Sequence, residues 1–319
     1  MEIVNLNLKK NKVEIGKIFQ NNISSIYHEI ILFNENNLKH NFLIFENNQL
    51  LAFVPLSIEV DKNGYKIGTF FNLSVPGPVI SNHVNNKKLK KILILILDEI
   101  DKRCLNEKVK SIKINFSDLI KFNTNSQRFF ILSEILINKN YTNKSFLGLR
   151  INLGEQENQI FKKFSKGHKS EIKKQESKKY TFKNFKDHEI TYDDFKRIIT
   201  NHIDNEKYLE PLYEIFKKNK ITIAYENKNE NFCSMFSVIS NTVEYFIDSK
   251  FTKNHHSLIF ETIKYFKKIK NLEYLNLGVI NNFYNVEIDF PKKKQNIATF
   301  KKGFGGEKYL LSIFEKKYF

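Results

Sequence analysis

Val109-Lys-Ser-Ile-Lys-Ile-Asn-Phe116 and Leu272-Glu-Tyr-Leu-Asn-Leu-Gly-Val279 place apolar residues at the same first, fourth, sixth and eighth positions. Each octet follows an amphipathic helical stretch, 88–104 in one case and 257–270 in the other, and each helix follows three strand-like runs. In the first half the runs are 42–46, 49–58 and 65–71, the first two joined as a hairpin by Asn47-Asn48. In the second half they are 221–226, 232–239 and 243–249. The order strand, strand, strand, helix, strand therefore occurs twice. A β-meander followed by a helix and a strand that returns to the same sheet makes a mixed α/β domain, so the expectation is an α/β (α+β) chain. Each domain would be a mixed, mostly antiparallel sheet flanked by helices, with boundaries at 1–152 and 153–308.

The length agrees, since 319 residues exceed what one core usually organises. With 41% apolar and 14% aromatic residues, the chain lies far from the composition of disordered proteins. Its formal charge of +17 favours nucleic acid, anionic lipid head groups or phosphorylated small molecules as partners. A general bias towards Lys, Asn, Ile and Phe accounts for part of that charge. Cys104 and Cys233 stand far apart with no ligand-spaced His beside them, so no zinc site, redox pair or disulfide is expected. The opening MEIVNLNLKKNK lacks a secretory apolar region, and the run 92–97 is too short to cross a bilayer. A cytoplasmic location is expected.

Two segments carry candidate chemistry. Residues 161–180, FKKFSKGHKSEIKKQESKKY, put Phe161, Phe164, His168 and Ile172 on one helical stripe and Lys162, Lys166, Lys169 and Lys173 on another. This predicts a basic helix whose lysines meet phosphate, or else a solvated charged face. A second helical stretch, 192–218, is interrupted by Pro211 and reads as packing. Near the end stands Ala298-Thr-Phe-Lys-Lys-Gly-Phe-Gly-Gly-Glu307 after the basic 291–294. Its glycines would let backbone N–H groups approach a ligand, although a glycine turn between two strands would have the same letters. It matches neither the Walker nor the Rossmann pattern. His255-His256 point about 100° apart on a helix and make a poor metal pair. Glu244 and Asp248 share a strand face and are candidate bases or lysine partners.

The basic helix FSKGHKSEIKKQ, the strand 244–249, the helix HHSLIFETIKYFKK, the strand ending at Val279 and the closing Phe300-Lys-Lys-Gly-Phe-Gly-Gly306 together resemble the FemAB-type branch of the GNAT acyltransferase superfamily. The likeness covers most of 150–307 and is looser before it, at PLSIE and Pro76-Gly-Pro78. It implies two tandem GNAT-like domains, with residues 309–319 returning to the first. It also implies an enzyme without metal or permanent cofactor, transferring an aminoacyl or acyl group to an amine of a phosphate-bearing glycan or cell-wall peptide precursor. The donor would be aminoacyl-tRNA, and the protein would contact tRNA, the precursor and the inner membrane face. On this resemblance Lys301 stabilises charge on the reacting carbonyl and Tyr245 lines the cleft. Lys166, His168, Lys169, Lys173, Gly303 and Gly305 would bind phosphate or substrate. Relatives often carry arginines in the basic helix, and the lysines here are less specific point charges.

Two other functions fit. An acyl-CoA-dependent N-acyltransferase acting on an amino sugar would need a glycine-rich pyrophosphate turn, and the matching places 81–86 and 253–257 have no glycine. A non-catalytic basic module that binds RNA or a membrane surface would suit the charge but leave the closing motif without a role.

Overall fold

In the computed structural model, strands β1 (Glu2–Asn5), β2 (Phe42–Glu46) and β3 (Gln49–Val54) run antiparallel side by side. The structure describes residues 1–7, 11, 15–16, 39–61, 63–69, 77–81, 83–115, 127–176, 178–185, 190–199, 209–218, 221–226, 231–239, 241–248, 255–282 and 292–319. Asn47 and Asn48 turn the β2–β3 hairpin with φ of 49° and 62°. A two-residue hairpin loop requires these left-handed values and Asn tolerates them. The run 49–58 is not one strand. Pro55 has no N–H for the ladder, and the chain leaves to begin β4 (Ser57–Val60), which pairs with β5 (Lys66–Thr69) in another sheet. A short β6 (Val79–Ile80) completes the first sheet, ordered β1-β2-β3-β6.

Helix α1 (Asn86–Asn106) starts at Asn85, whose side-chain oxygen accepts the Lys88 N–H at 2.9 Å. It buries Leu89, Ile92, Leu93, Ile96, Leu97, Ile100 and Cys104, the stripe expected of a helix covering a sheet. Then come β7 (Ser111–Asn115), α2 (Gln127–Asn138) and β8 (Thr142–Asn143). The core of this unit joins the α1 stripe to Phe42, Ile44 and Val54 from the first sheet and Ile112 and Ile114 from β7.

The other unit begins at Leu147, within β9 (Phe146–Asn152), and continues with α3 (Glu157–Lys163) and α4 (Lys166–Lys174). Strand β10 (Tyr180–Asn184), α5 (Tyr192–Ile199) and α6 (Leu209–Lys218) follow. Pro211 stands in the first turn of α6, where its missing N–H is one the helix does not need. The meander β11 (Thr222–Glu226), β12 (Asn231–Ile239) and β13 (Thr242–Asp248) leads into α7 (His255–Lys267) and β14 (Tyr274–Asn282). Last come α8 (Lys292–Lys302) and β15 (Glu307–Leu311). One sheet results, ordered β10-β11-β12-β13-β14-β9-β15. Its core packs Leu258, Ile263 and Phe266 of α7 on Ala224, Phe236, Val243, Leu275 and Leu277 of the strands.

The final strand β16 (Ile313–Lys317) lies between β7 and β8 in a sheet ordered β4-β5-β7-β16-β8. Unit one therefore comprises Met1–Phe146, Asn282–Val286 and Leu310–Phe319, and unit two Leu147–Asn281 and Glu287–Tyr309. Strand β16 is pinned through Asp101 on α1. Its carboxylate accepts Lys316 Nζ at 2.6 Å, the Tyr318 hydroxyl at 2.6 Å and the Tyr141 hydroxyl at 3.2 Å. None of the described helices is long and apolar enough to cross a membrane.

The chain is thus a mixed α/β protein of two sheet-and-helix units. The duplicated order of elements appears in both halves, but the first-half strands are shared between two sheets and the second-half strands form one.

Candidate active site

Strands β13 and β14 run parallel and pair at Thr242–Tyr274, Val243–Leu275 and Glu244–Asn276. Among the described residues the pairing stops there, although both strands continue. A fork opens inside the sheet, and the facing backbone amides beyond it are left to other partners. Asn276 stands at the crotch. Its Nδ2 donates to Glu244 Oε1 at 3.4 Å, while its Oδ1 accepts the Gly278 N–H at 2.7 Å and the Tyr309 hydroxyl at 2.5 Å. Burial raises the Glu244 carboxyl pKa, with the Asn276 hydrogen bond opposing, and raises the Tyr309 hydroxyl well above its ordinary value.

Lys301 reaches the β14 arm of this fork. It lies in the last turn of α8, and its Nζ donates to the Val279 carbonyl at 3.2 Å. A Cβ on Gly278 would come within 3.1 Å of that Nζ, and Gly278 has a left-handed φ of 77°. Glycine thus lets the ammonium settle on the strand beside the opening.

The end of α8 is closed by its own chain and by α4. Gly303 N–H is shared between the Thr299 and Phe300 carbonyls, Phe304 N–H goes to Lys301 and Gly305 N–H to Lys302. Gly305 takes φ 63°, the left-handed residue that commonly follows a helix. The Gly303 carbonyl accepts the Ser165 N–H at 2.8 Å, and the Phe300 carbonyl lies 2.8 Å from His168 Nε2. Ser165 also caps α4, its Oγ accepting the His168 N–H and lying 3.0 Å from His168 Nδ1. His168 is buried against Phe304, Phe300 and His256, with ring centroids at 4.4, 5.2 and 4.5 Å.

No family model and no curated protein matches the sequence. Solved structures do match the fold. The crystal structure of FemX is 11% identical over 100% of this chain and 98% of its own, with a TM-score of 0.54. L-PGS from Bacillus licheniformis is 10% identical over 98% and 93%, with a TM-score of 0.56. The C-terminal domain of a putative lysylphosphatidylglycerol synthetase from Agrobacterium fabrum is 8% identical over 97% and 93%, at 0.52. The chain has the FemX fold.

Within this FemX-like fold the anticipated site residues fall into two sets. Lys301, Gly303 and Gly305 lie at and just after the end of α8, where Gly303 meets His168. Lys166 and Lys173 lie exposed on α4, and Lys169, half-buried, donates its Nζ to the Lys162 carbonyl at 2.7 Å. The sets adjoin where Ser165 bonds Gly303. The basic segment 161–180 is not one helix. Extended backbone at Phe164 and Ser165 (ψ 145° and 156°) separates α3 from α4, because Ser165 serves as a cap, and Tyr180 already begins β10.

Three residues differ from their expected roles for physical reasons. His168 faces inwards with both ring nitrogens engaged and is not presented to a phosphate. The Gly303 and Gly305 N–H groups are bonded within the chain and do not form an anion cradle. Their lack of side chains serves close packing instead. A Cβ on Gly303 would lie 2.2 Å from His168 Cε1, and one on Gly305 would lie 2.3 Å from the Lys163 carbonyl oxygen. The motif joins a helix to a strand, not two strands. Tyr245 lies on β13 opposite Phe236; its side chain, His28, His188, His202, Asn254 and Pro291 are outside the described residues. Among the described residues no cluster of His, Cys, Asp and Glu could hold a metal. Cys104 and Cys233 are buried free thiols, and burial pushes the Cys104 thiol up to about 12. Asn276, Tyr309 and His256 were not anticipated. Asn276 had one signal, as the lone polar side chain among Leu275, Leu277 and Val279.

Proposed function

We propose that this chain is an acyltransferase that moves an aminoacyl or acyl group from an activated ester or thioester to an amine, with Lys301 stabilising the oxyanion. Attack of the amine on the carbonyl carbon builds negative charge on oxygen. Collapse breaks the bond to the leaving oxygen or sulfur, which takes up the proton that the attacking amine loses as the amide forms. A fixed ammonium beside the developing charge is worth several kcal/mol when water is excluded. The observation that carries this reading is the placement of Lys301 Nζ on the β14 arm where β13 and β14 part.

The acceptor in this reading is a phosphate-bearing glycan or cell-wall peptide precursor, and the donor is aminoacyl-tRNA. In support, Lys166, Lys169 and Lys173 line α4, the chain carries a formal charge of +17, and the fold is that of proteins named FemX and lysylphosphatidylglycerol synthetase. Such a role puts the protein in the cytoplasm, in peripheral contact with the inner membrane face. In a second reading acyl-CoA is the donor, and its amide-bearing chain lies along the fork between β13 and β14.

Binding of tRNA and of acyl-CoA across a salt series separates the donors. With tRNA, several phosphates are neutralised and affinity falls steeply with salt. Lys166→Ala and Lys173→Ala should each flatten that slope by about one ion. Tight acyl-CoA binding with a shallow salt dependence and no tRNA binding would select the second donor.

A further inference from the structure

We propose that His168 positions Lys301, acting through the end of α8, and that Gly303 is glycine in order to seat the His168 ring. This rests on the reading of Lys301 as the oxyanion stabiliser. It gives a role to the histidine of the basic segment, which the phosphate-binding lysines do not explain.

Helix α8 packs through Ala298 and through the Phe300 ring, which meets His168, His256 and Phe304. Among its described side chains only Ala298 is buried, while Gln295, Asn296, Ile297, Thr299 and Lys302 are exposed and Phe300 is half-buried. So narrow an apolar stripe leaves polar contacts a share in orienting the helix. Its C-terminal turn, which carries Lys301, is also attached to α4 by two hydrogen bonds, Ser165 N–H to the Gly303 carbonyl and His168 Nε2 to the Phe300 carbonyl. The second lies one residue from Lys301.

The chemistry of the contact fixes its direction. A carbonyl only accepts, so Nε2 carries the hydrogen and Nδ1 is left as an acceptor, to which the Ser165 hydroxyl donates. Ser165 Oγ accepts the His168 backbone N–H at the same time, so the cap, the ring tautomer and the helix end form one unit. Burial lowers the His168 pKa and keeps this neutral form in place, with the Phe300 hydrogen bond opposing. The ring lies over Gly303 closely enough to exclude even a methyl group. Lys301 is thus set from both ends, its backbone by His168 and its ammonium by the Val279 carbonyl.

The test uses the full chain and needs no substrate. Trace acetylation with an N-hydroxysuccinimide acetate, read by mass spectrometry, gives the reactivity of Lys301 relative to its exposed neighbour Lys302. In the unmutated chain the ratio should lie below one. In His168→Ala, with the far-UV circular dichroism unchanged, it should rise towards one. His168→Gln keeps an N–H that reaches the Phe300 carbonyl and should restore the low ratio, which space-filling alone would not do. Gly303→Ala should raise the ratio and lower Tm, and much of that loss should vanish when it is combined with His168→Ala. A folded His168→Ala with the original ratio would overturn the proposal. So would a Gln variant no better than Ala, or Gly303→Ala and His168→Ala penalties that simply add. If His168→Ala does not fold, a raised ratio in the Gln variant overturns it as well. Because labelling reads position without turnover, absence of transfer in the unmutated chain would remove the enzymatic reading and leave this result standing.

Discussion

The Tyr309 hydroxyl donates to Asn276 Oδ1 at 2.5 Å beneath the backbone of Gly148, where a Cβ would meet the tyrosine ring at 2.4 Å. Strands β9, β14 and β15 are keyed together at this point, just below the fork. Gly148→Ala should therefore destabilise unit two by roughly 1–3 kcal/mol, the range for overpacking a filled site. Tyr309→Phe keeps the ring, leaves Asn276 bonded to Gly278, and should lose about 1 kcal/mol. Thermal unfolding of both variants checks the order; an alanine variant as stable as the parent would mean that the strands are not so closely set.

Glu244 gives a pH dependence whose sign follows from burial. Its folded pKa is raised, so the folded state holds the proton more tightly than the unfolded chain. The contribution to stability is then full below the unfolded value and is lost as pH rises through the folded one. Glu244→Gln removes the charge and still offers an acceptor to Asn276. It should raise Tm at about pH 7 and leave it nearly unchanged at about pH 4. An equal shift at both values would show that the carboxylate is not the cause.

The Asp101 network makes a separate prediction for unit one. Removing the carboxylate in Asp101→Ala leaves Lys316, Tyr318 and Tyr141 without their shared acceptor. Both members of the ion pair have side chains only 17% exposed, so the loss should be about 3 kcal/mol. Hydrogen exchange in β16 should rise in parallel. Unchanged protection there would mean that the strand is held by its ladder alone.

How much of this was legible in the sequence depended on whether a feature is local. The alternation in 109–116 and 272–279 marked β7 and β14, and Asn47-Asn48 marked its hairpin, because side-chain period and turn conformation are set within a few residues. Pro55 carried a local signal as well, yet the run 49–58 read as one strand because its apolar residues continue across the proline. The break at Ser165 was hidden by lysines and phenylalanines that keep helical spacing across it. The part played by His168 could not be read at all. Periodicity placed it on the buried stripe, but its partners Phe300 and Gly303 come from the far end of the chain. The glycines of the closing motif were visible as close-approach residues, but nothing in their spacing tells whether a ligand or a histidine ring approaches them. The fork between β13 and β14 likewise depends on where two distant strands cease to pair.

The most direct measurement is the rate of amide formation by Lys301→Ala, with the donor that the unmutated chain turns over, alongside its thermal unfolding. A half-buried lysine at a helix end adds little to stability, so Tm should hardly move. The transfer rate should fall by ~100-fold or more, as when a fixed oxyanion donor is removed from an acyl-transfer site. A folded Lys301→Ala variant that retains activity within about threefold of the parent would contradict the assignment of Lys301 as the group on which the reaction depends.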